Sequence, residues 1–104
     1  MTVTISVHRE FAVSGGPDDN LDEHTDRVME ELLAIEDDQL TDSAVGVDLG
    51  TGHVEIEVTA RAQTFEDALV VADGAMRTAI HAAGGATPNW QVIQIALRAE
   101  LVEA

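Results

Sequence analysis

The side chains best suited to acid–base or metal chemistry in this sequence are its four histidines, His8, His24, His53 and His81. Imidazole titrates near neutrality and is a common metal ligand. No His-x-x-x-His spacing occurs, so no helix stacks two rings on one face as a zinc motif requires. His24 and His81 fall in segments of helical period, outside the apolar stripes. His8 and His53 fall in strand-like segments and alternate onto the same polar face. Taken as parallel neighbours, those strands would hold the two rings about 15–20 Å apart, given ~3.3 Å per residue. On this reading neither a metal site nor a cofactor is expected. The serines are Ser6, Ser14 and Ser43, none in a strand–turn–helix elbow of the kind that activates a nucleophile. Zero cysteines exclude thiolate chemistry. Asp18-Asp19-Asn20-Leu21-Asp22 begins like a calcium loop, but Glu23 stands where the sharp turn calls for glycine and Met29 where a bidentate Glu is needed. A capped acidic helix accounts for that stretch better. No catalytic constellation emerges, and recognition is expected before turnover.

A second stretch, Val45-Gly46-Val47-Asp48-Leu49-Gly50-Thr51-Gly52, resembles the first phosphate loop of the actin and heat-shock ATPase superfamily. That resemblance implies backbone N–H groups and the Thr51 hydroxyl around a phosphate, with Asp48 managing magnesium. The superfamily closes two large domains on its nucleotide, and 104 residues supply one. A hairpin turn requires the same glycines for their dihedral angles, and a turn is the reading adopted.

The elements that position these groups follow from hydrophobic period. Thr2 to His8 alternates polar and apolar, the pattern of a half-buried strand ending near Phe11, ahead of Ser14-Gly15-Gly16-Pro17. Asp18 or Asp19 then caps a helix over about 19–36, with Leu21, Thr25, Val28, Leu32 and Ile35 as its inward stripe. Val45, Val47 and Leu49 mark a second strand, and Gly50-Thr51-Gly52 turns into a third. There Val54, Ile56, Val58 and Ala60 oppose Glu55, Glu57, Thr59 and Arg61. Thr64 caps a second helix, with Asp67 three residues on. Its expected stripe is Phe65, Leu69, Ala72, Met76, Ala79 or Ile80, and Ala83, and Gly84-Gly85 and Pro88 end it. A last strand runs from about Asn89 to Arg98, with Ile93, Ile95 and Leu97 inward and Trp90, Val92, Gln94, Ala96 and Arg98 outward.

The order β-α-β-β-α-β predicts one α+β domain over 1–104: a ferredoxin-like two-layer sandwich, a four-stranded antiparallel sheet of order 4-1-3-2 with both helices on one face. The expected core is Val3, Ile5, Val7, Val28, Leu32, Val54, Ile56, Val58, Phe65, Leu69, Met76, Ile93 and Ile95. Over nearly its whole length the chain resembles small acidic proteins of high-GC bacteria. The likeness is carried by Thr64-Phe65-Glu66-Asp67-Ala68-Leu69, the break at Gly84-Gly85 and the strand from Trp90. It implies the fold and carries over no functional residue.

Charge narrows the partners. The chain holds 20 Asp+Glu against 5 basic residues, a formal net charge of −15, and all five bases are arginine. Residues 18–42 concentrate the acids, among them Asp22, Asp26, Glu30, Asp37 and Asp38, an acidic surface suited to a basic protein. Nucleic acid and anionic membranes are repelled by it. With no apolar run of ~20 residues and no basic leader after Met1, a cytoplasmic location is expected. The open sheet face, carrying Trp90, Val92, Gln94, Arg98, His8 and Glu57, is the expected homodimer interface, because interfaces concentrate Trp and Arg. The competing expectation is a small enzyme of the dimeric α+β-barrel type. His8, His53, Glu57 or Arg61 would line its pocket, although the Trp-Glu-Ser stretch of many such monooxygenases is missing.

Overall fold

The computed structural model describes residues 2–14, 18–48, 50–83 and 91–103. Its elements are β1 (Val3–Ser14), α1 (Asp18–Ile35), β2 (Leu40–Asp48), β3 (His53–Ala62), α2 (Phe65–Ala82) and β4 (Gln91–Glu103). They form one four-stranded sheet of order β2-β3-β1-β4, the expected 4-1-3-2 order. Every pairing is antiparallel. This corrects the expectation that β1 and β3 run parallel. The crossover through α1 lays β2 in the same sense as β1, and the tight hairpin returns β3 against both, so a strand inserted between them must oppose each.

Local chemistry explains the elements. In β3, Val54, Ile56, Val58 and Ala60 are buried while Glu55 and Glu57 are exposed, the two-residue period of a strand with one dry face. At the β2–β3 turn, Asp48 Oδ1 accepts from the backbone N–H of Gly50 at 3.0 Å and of Thr51 at 3.3 Å. Gly52 closes the turn with φ of 72°, a region glycine enters without steric penalty. The donors that a phosphate loop would offer are therefore already taken by Asp48. Thr64 caps α2, its Oγ1 accepting from Asp67 N–H at 3.1 Å. α1 begins at Asp18; the Gly15-Gly16-Pro17 breaker before it and the Gly84-Gly85 and Pro88 stop after α2 lie outside the described residues.

The core joins Ile5 and Val7 of β1, Val28 and Leu32 of α1, Leu40 of β2, the inward row of β3, and Ala68, Ala72, Met76 and Ala79 of α2. Ala68 was absent from the expected stripe. Phe65 and Leu69 are half-buried flanks, and alanine methyls fill the line of closest approach, letting α2 lie near the sheet. Thr25 is buried in the α1 stripe, where its hydroxyl donates to the Asp22 carbonyl at 2.9 Å. Val3 packs at the margin. The side chains of Leu21, Ile93 and Ile95 lie outside the described residues.

β4 departs from simple alternation. Its register against β1 shifts between Glu10 and Phe11 and again between Thr4 and Ile5. Glu10 pairs with Ala96 but Phe11 with Gln94, so β4 holds one extra residue there, a bulge. Phe11 packs on the core side, so Gln94 sits at a helix-side register position, not on the open face where alternation placed it. Arg98, opposite His8, keeps its expected face. The helices lie over β1, β2 and β3, and on β4 Leu97, Leu101 and Val102 are 51%, 57% and 60% exposed.

Leu32 is fully buried and its neighbour Leu33 is 52% exposed. Leu32→Ala should lower unfolding free energy by about 2–5 kcal/mol. Leu33→Ala should change it by about 0.5 kcal/mol or less, as is usual for an exposed site. Urea denaturation of the two variants checks the assignment of the inward face of α1.

Candidate functional site

On the face of the sheet away from the helices, antiparallel register stacks the polar side chains of β1 and β3 into rows. One row across the four strands reads Gly46, Glu55, Glu10, Ala96, and the next reads Ala44, Glu57, His8, Arg98. On the other side of the first row stand Asp48, His53 and Ala12. Small residues thus surround a compact group of imidazoles and carboxylates, so the group sits in a shallow bowl.

Glu10 is the hub of that group. A carboxylate accepts and cannot donate when ionised, so His8 Nε2–H donates to Glu10 Oε1, at 3.1 Å. His53 Nε2 lies 3.6 Å from the other oxygen, Oε2. His8 Nδ1 faces Glu57 Oε2 at 3.9 Å, beyond hydrogen-bond reach. Glu57 in turn accepts from the Ser6 hydroxyl at 3.0 Å. The His8 side chain is only 15% exposed although no helix covers it. His8 Nδ1 and His53 Nε2 are buried atoms with no hydrogen-bond partner. The His8 hydrogen bond holds the Glu10 carboxyl below the usual glutamate range; partial desolvation opposes this, and the nearby imidazoles add to the lowering.

This arrangement overturns the expectation that His8 and His53 stand 15–20 Å apart, since both rings reach one carboxylate. Antiparallel pairing places Glu57 opposite His8 and His53 opposite Ala12, two residues past Glu10. The expectation that no histidine belongs to a metal-capable group also gives way. One ligand atom each from His8, Glu10 and Glu55 lies within 4.8 Å of the others. Glu10, Glu55 and the part played by His53 were missed from the sequence. The available signals were His8-x-Glu10 and His53-x-Glu55-x-Glu57, since residues two apart on a strand share a face.

The other expected site residues do not join this group. Trp90 lies outside the described residues, as does the side chain of Val92. Gln94 and Arg98 are exposed on β4, with Arg98 Nε 3.5 Å from Glu100 Oε1. Asp22, Asp26, Glu30, Asp37 and Asp38 are exposed. Asp37 also builds the turn before β2, accepting from Gln39 N–H at 2.8 Å and Leu40 N–H at 3.1 Å. The stretch resembling a calcium loop lies in helix from Asp18. His24 Nδ1 donates to the Ala83 carbonyl at 3.0 Å, tying α1 to the end of α2. His81 is exposed on α2. A depression of about 350 Å³ adjoins the bowl, lined by Gly46, Val47, Asp48, His53 and Glu55. A larger one, about 610 Å³, lies at the opposite end of the sheet, lined among others by Asp38, Arg61, Asp67 and Val70. The chemistry-bearing group borders the smaller.

No protein-family model and no curated protein sequence matches this chain. Solved structures do. A "putative Antibiotic biosynthesis monooxygenase" from Chloroflexus aurantiacus superposes with a TM-score of 0.58 at 12% identity, covering 97% of this chain and 94% of that one. A de novo designed protein with a ferredoxin fold superposes at 0.51 and 18% identity, covering 100% and 87%. The designed protein Foldit4 does so at 0.53 and 15%, covering 93% and 96%. The fold is ferredoxin-like. At these identities the likeness carries architecture alone, and among the described residues no helix is long and apolar enough to cross a membrane.

Because the folded Glu10 pKa is depressed, its contribution to stability is present above the unfolded glutamate value and is lost as pH falls through the folded one. NMR titration of the Glu10 carboxyl carbon should give a midpoint below that of an ordinary glutamate, and His8→Asn should return it toward the ordinary value. An unchanged midpoint in His8→Asn would show that the His8 hydrogen bond is not the cause.

Proposed function

We propose that this chain is a binding module that works through the open face of its sheet and self-associates along β4. The observation that carries the pairing is the exposure of Leu97, Leu101 and Val102 on a strand that is also the edge of the sheet. An edge strand presents unpaired backbone N–H and C=O groups, and bare apolar side chains beside it favour a partner that covers both. A second copy meeting β4 antiparallel to β4 satisfies the backbone and buries the leucines of both chains in one step. The centre of the open face is less suited to direct contact between copies. Glu10, Glu55 and Glu57 would face the same residues of the partner there, and desolvating like charges is costly. Pairing along β4 leaves that centre accessible to a ligand.

The competing reading, a small enzyme of the dimeric α+β-barrel type, draws on the His8–Glu10 hydrogen bond, a base-and-orienter arrangement beside a depression. It also draws on architectural likeness to the Chloroflexus protein. Recognition is preferred because Glu10, the group that orients His8, also faces His53 and Glu55, an arrangement that gathers negative charge for a ligand.

Sedimentation velocity at tens of micromolar tests the pairing. Wild type is expected to sediment as a dimer in moderate salt, with screening easing the −15 charge on each copy. Leu97→Asp with Leu101→Asp is expected to sediment as a monomer. A monomeric wild type overturns the proposal, and so does a double variant that remains a dimer.

A further inference from the structure

The geometry points to a divalent transition-metal site on the open face, with His8, Glu10 and Glu55 as the protein ligands and His53 beside them. It rests on the preceding reading only in taking the open face as the working surface. The three donors come from one copy, so pairing of copies is not required.

Four observations converge. The donor atoms of His8, Glu10 and Glu55 lie within 4.8 Å of one another. Bonds of about 2.0–2.2 Å would draw them inward by roughly an ångström, a movement the torsions of two glutamates permit. Glu10 stands directly opposite Glu55 in the β1–β3 register, with Glu57 two residues along. Like charges directly opposite one another across strands are destabilising, and a cation between them reverses the sign of that interaction. His8 Nε2, 3.1 Å from Glu10 Oε1, can bind the ion once its proton moves to Nδ1, which is buried without a hydrogen-bond partner, and His53 Nε2, 3.6 Å from Glu10 Oε2, likewise has no hydrogen bond to give up. Finally, Arg98 across from His8 is turned to Glu100, so it does not neutralise the Glu10–Glu55 pair.

The donor set selects the ion. One imidazole with two carboxylates suits zinc and its first-row neighbours, whereas magnesium and calcium prefer oxygen throughout. Three protein ligands leave at least one coordination position on the solvent side of a bare sheet, open to water or to an anionic ligand. In a chain of charge −15, the acids of α1 also attract cations loosely. The histidine is what distinguishes this site from them.

Isothermal titration of the full chain with ZnCl₂, beside Glu10→Gln, Glu55→Gln, His8→Ala and the helix control Glu30→Gln, tests the site. One equivalent of Zn²⁺ per chain is expected to bind wild type and Glu30→Gln alike and to survive a tenfold excess of Mg²⁺. Each of the three ligand variants should bind at least about tenfold more weakly. ¹⁵N NMR should show the His8 ring nitrogens shifting on zinc addition, which loose carboxylate binding would not produce. The glutamine variants are near-isosteric and keep the experiment decisive should His8→Ala fail to fold, as amide spectra of each variant reveal. The site is overturned by the absence of stoichiometric binding, by equal affinity in Glu10→Gln and Glu55→Gln, or by saturation with no His8 shift.

Discussion

Antiparallel pairing of β1 with β3 is the constraint on which the rest of this molecule depends. It runs without a break from Val3 against Ala62 to Ala12 against His53, and both strands are central in the sheet. On the helix side that register brings Ile5 and Val7 beside Val58 and Ala60, the dry centre of the core. On the other side the same register brings His8 beside Glu57 and Glu10 beside Glu55. One set of backbone hydrogen bonds therefore supports both the apolar packing and the charged group, and a slip by a single residue would exchange the two faces. The charged group needs no loop or moving segment to assemble it.

The site is also electrostatically frustrated. Three glutamates stand on neighbouring positions of adjacent strands, and the nearest side chains able to offset them are two imidazoles. Packing beneath holds the arrangement in place: Ile5 and Val7 of β1 and the inward row of β3 are fully or nearly fully buried, and that burial outweighs a modest repulsion between partly solvated carboxylates. Local conflict sustained by a well-formed core is a common mark of positions kept for a purpose other than folding.

Much of this was legible in the chain. Val54 to Ala60 alternates too regularly to be anything other than a strand with one buried face. Thr64 with Asp67, and Asp48 with Gly50 and Gly52, announce a cap and a turn through side-chain chemistry that acts over three or four residues. Two features were not legible for physical reasons. Alternation reports which face a residue occupies but not the direction of the neighbouring strand, so reading β1 and β3 as parallel separated His8 from His53. The β4 bulge hides in an apolar run, where one extra residue changes the parity of everything before it. In α2 the expected stripe holds at Ala72, Met76 and Ala79, with Phe65 and Leu69 packed at its flank, but it lacks Ala68, a small residue that closeness to the sheet buries fully.

Gly46 carries a consequence of its own. Its backbone has ordinary strand angles, since among the described glycines only Gly52 has positive φ, so glycine is not required there by conformation. A methyl group added at that position would meet Glu55 Oε2 at 3.8 Å, ordinary van der Waals contact. The β2 strand thus holds a vacant step beside the carboxylates, and the bulk of residue 46 sets how wide an aperture the group presents from that side. Progressively larger side chains there would narrow the admission of ligands by size while leaving every donor atom in place, a simple route by which chains of this architecture can diverge in what they accept.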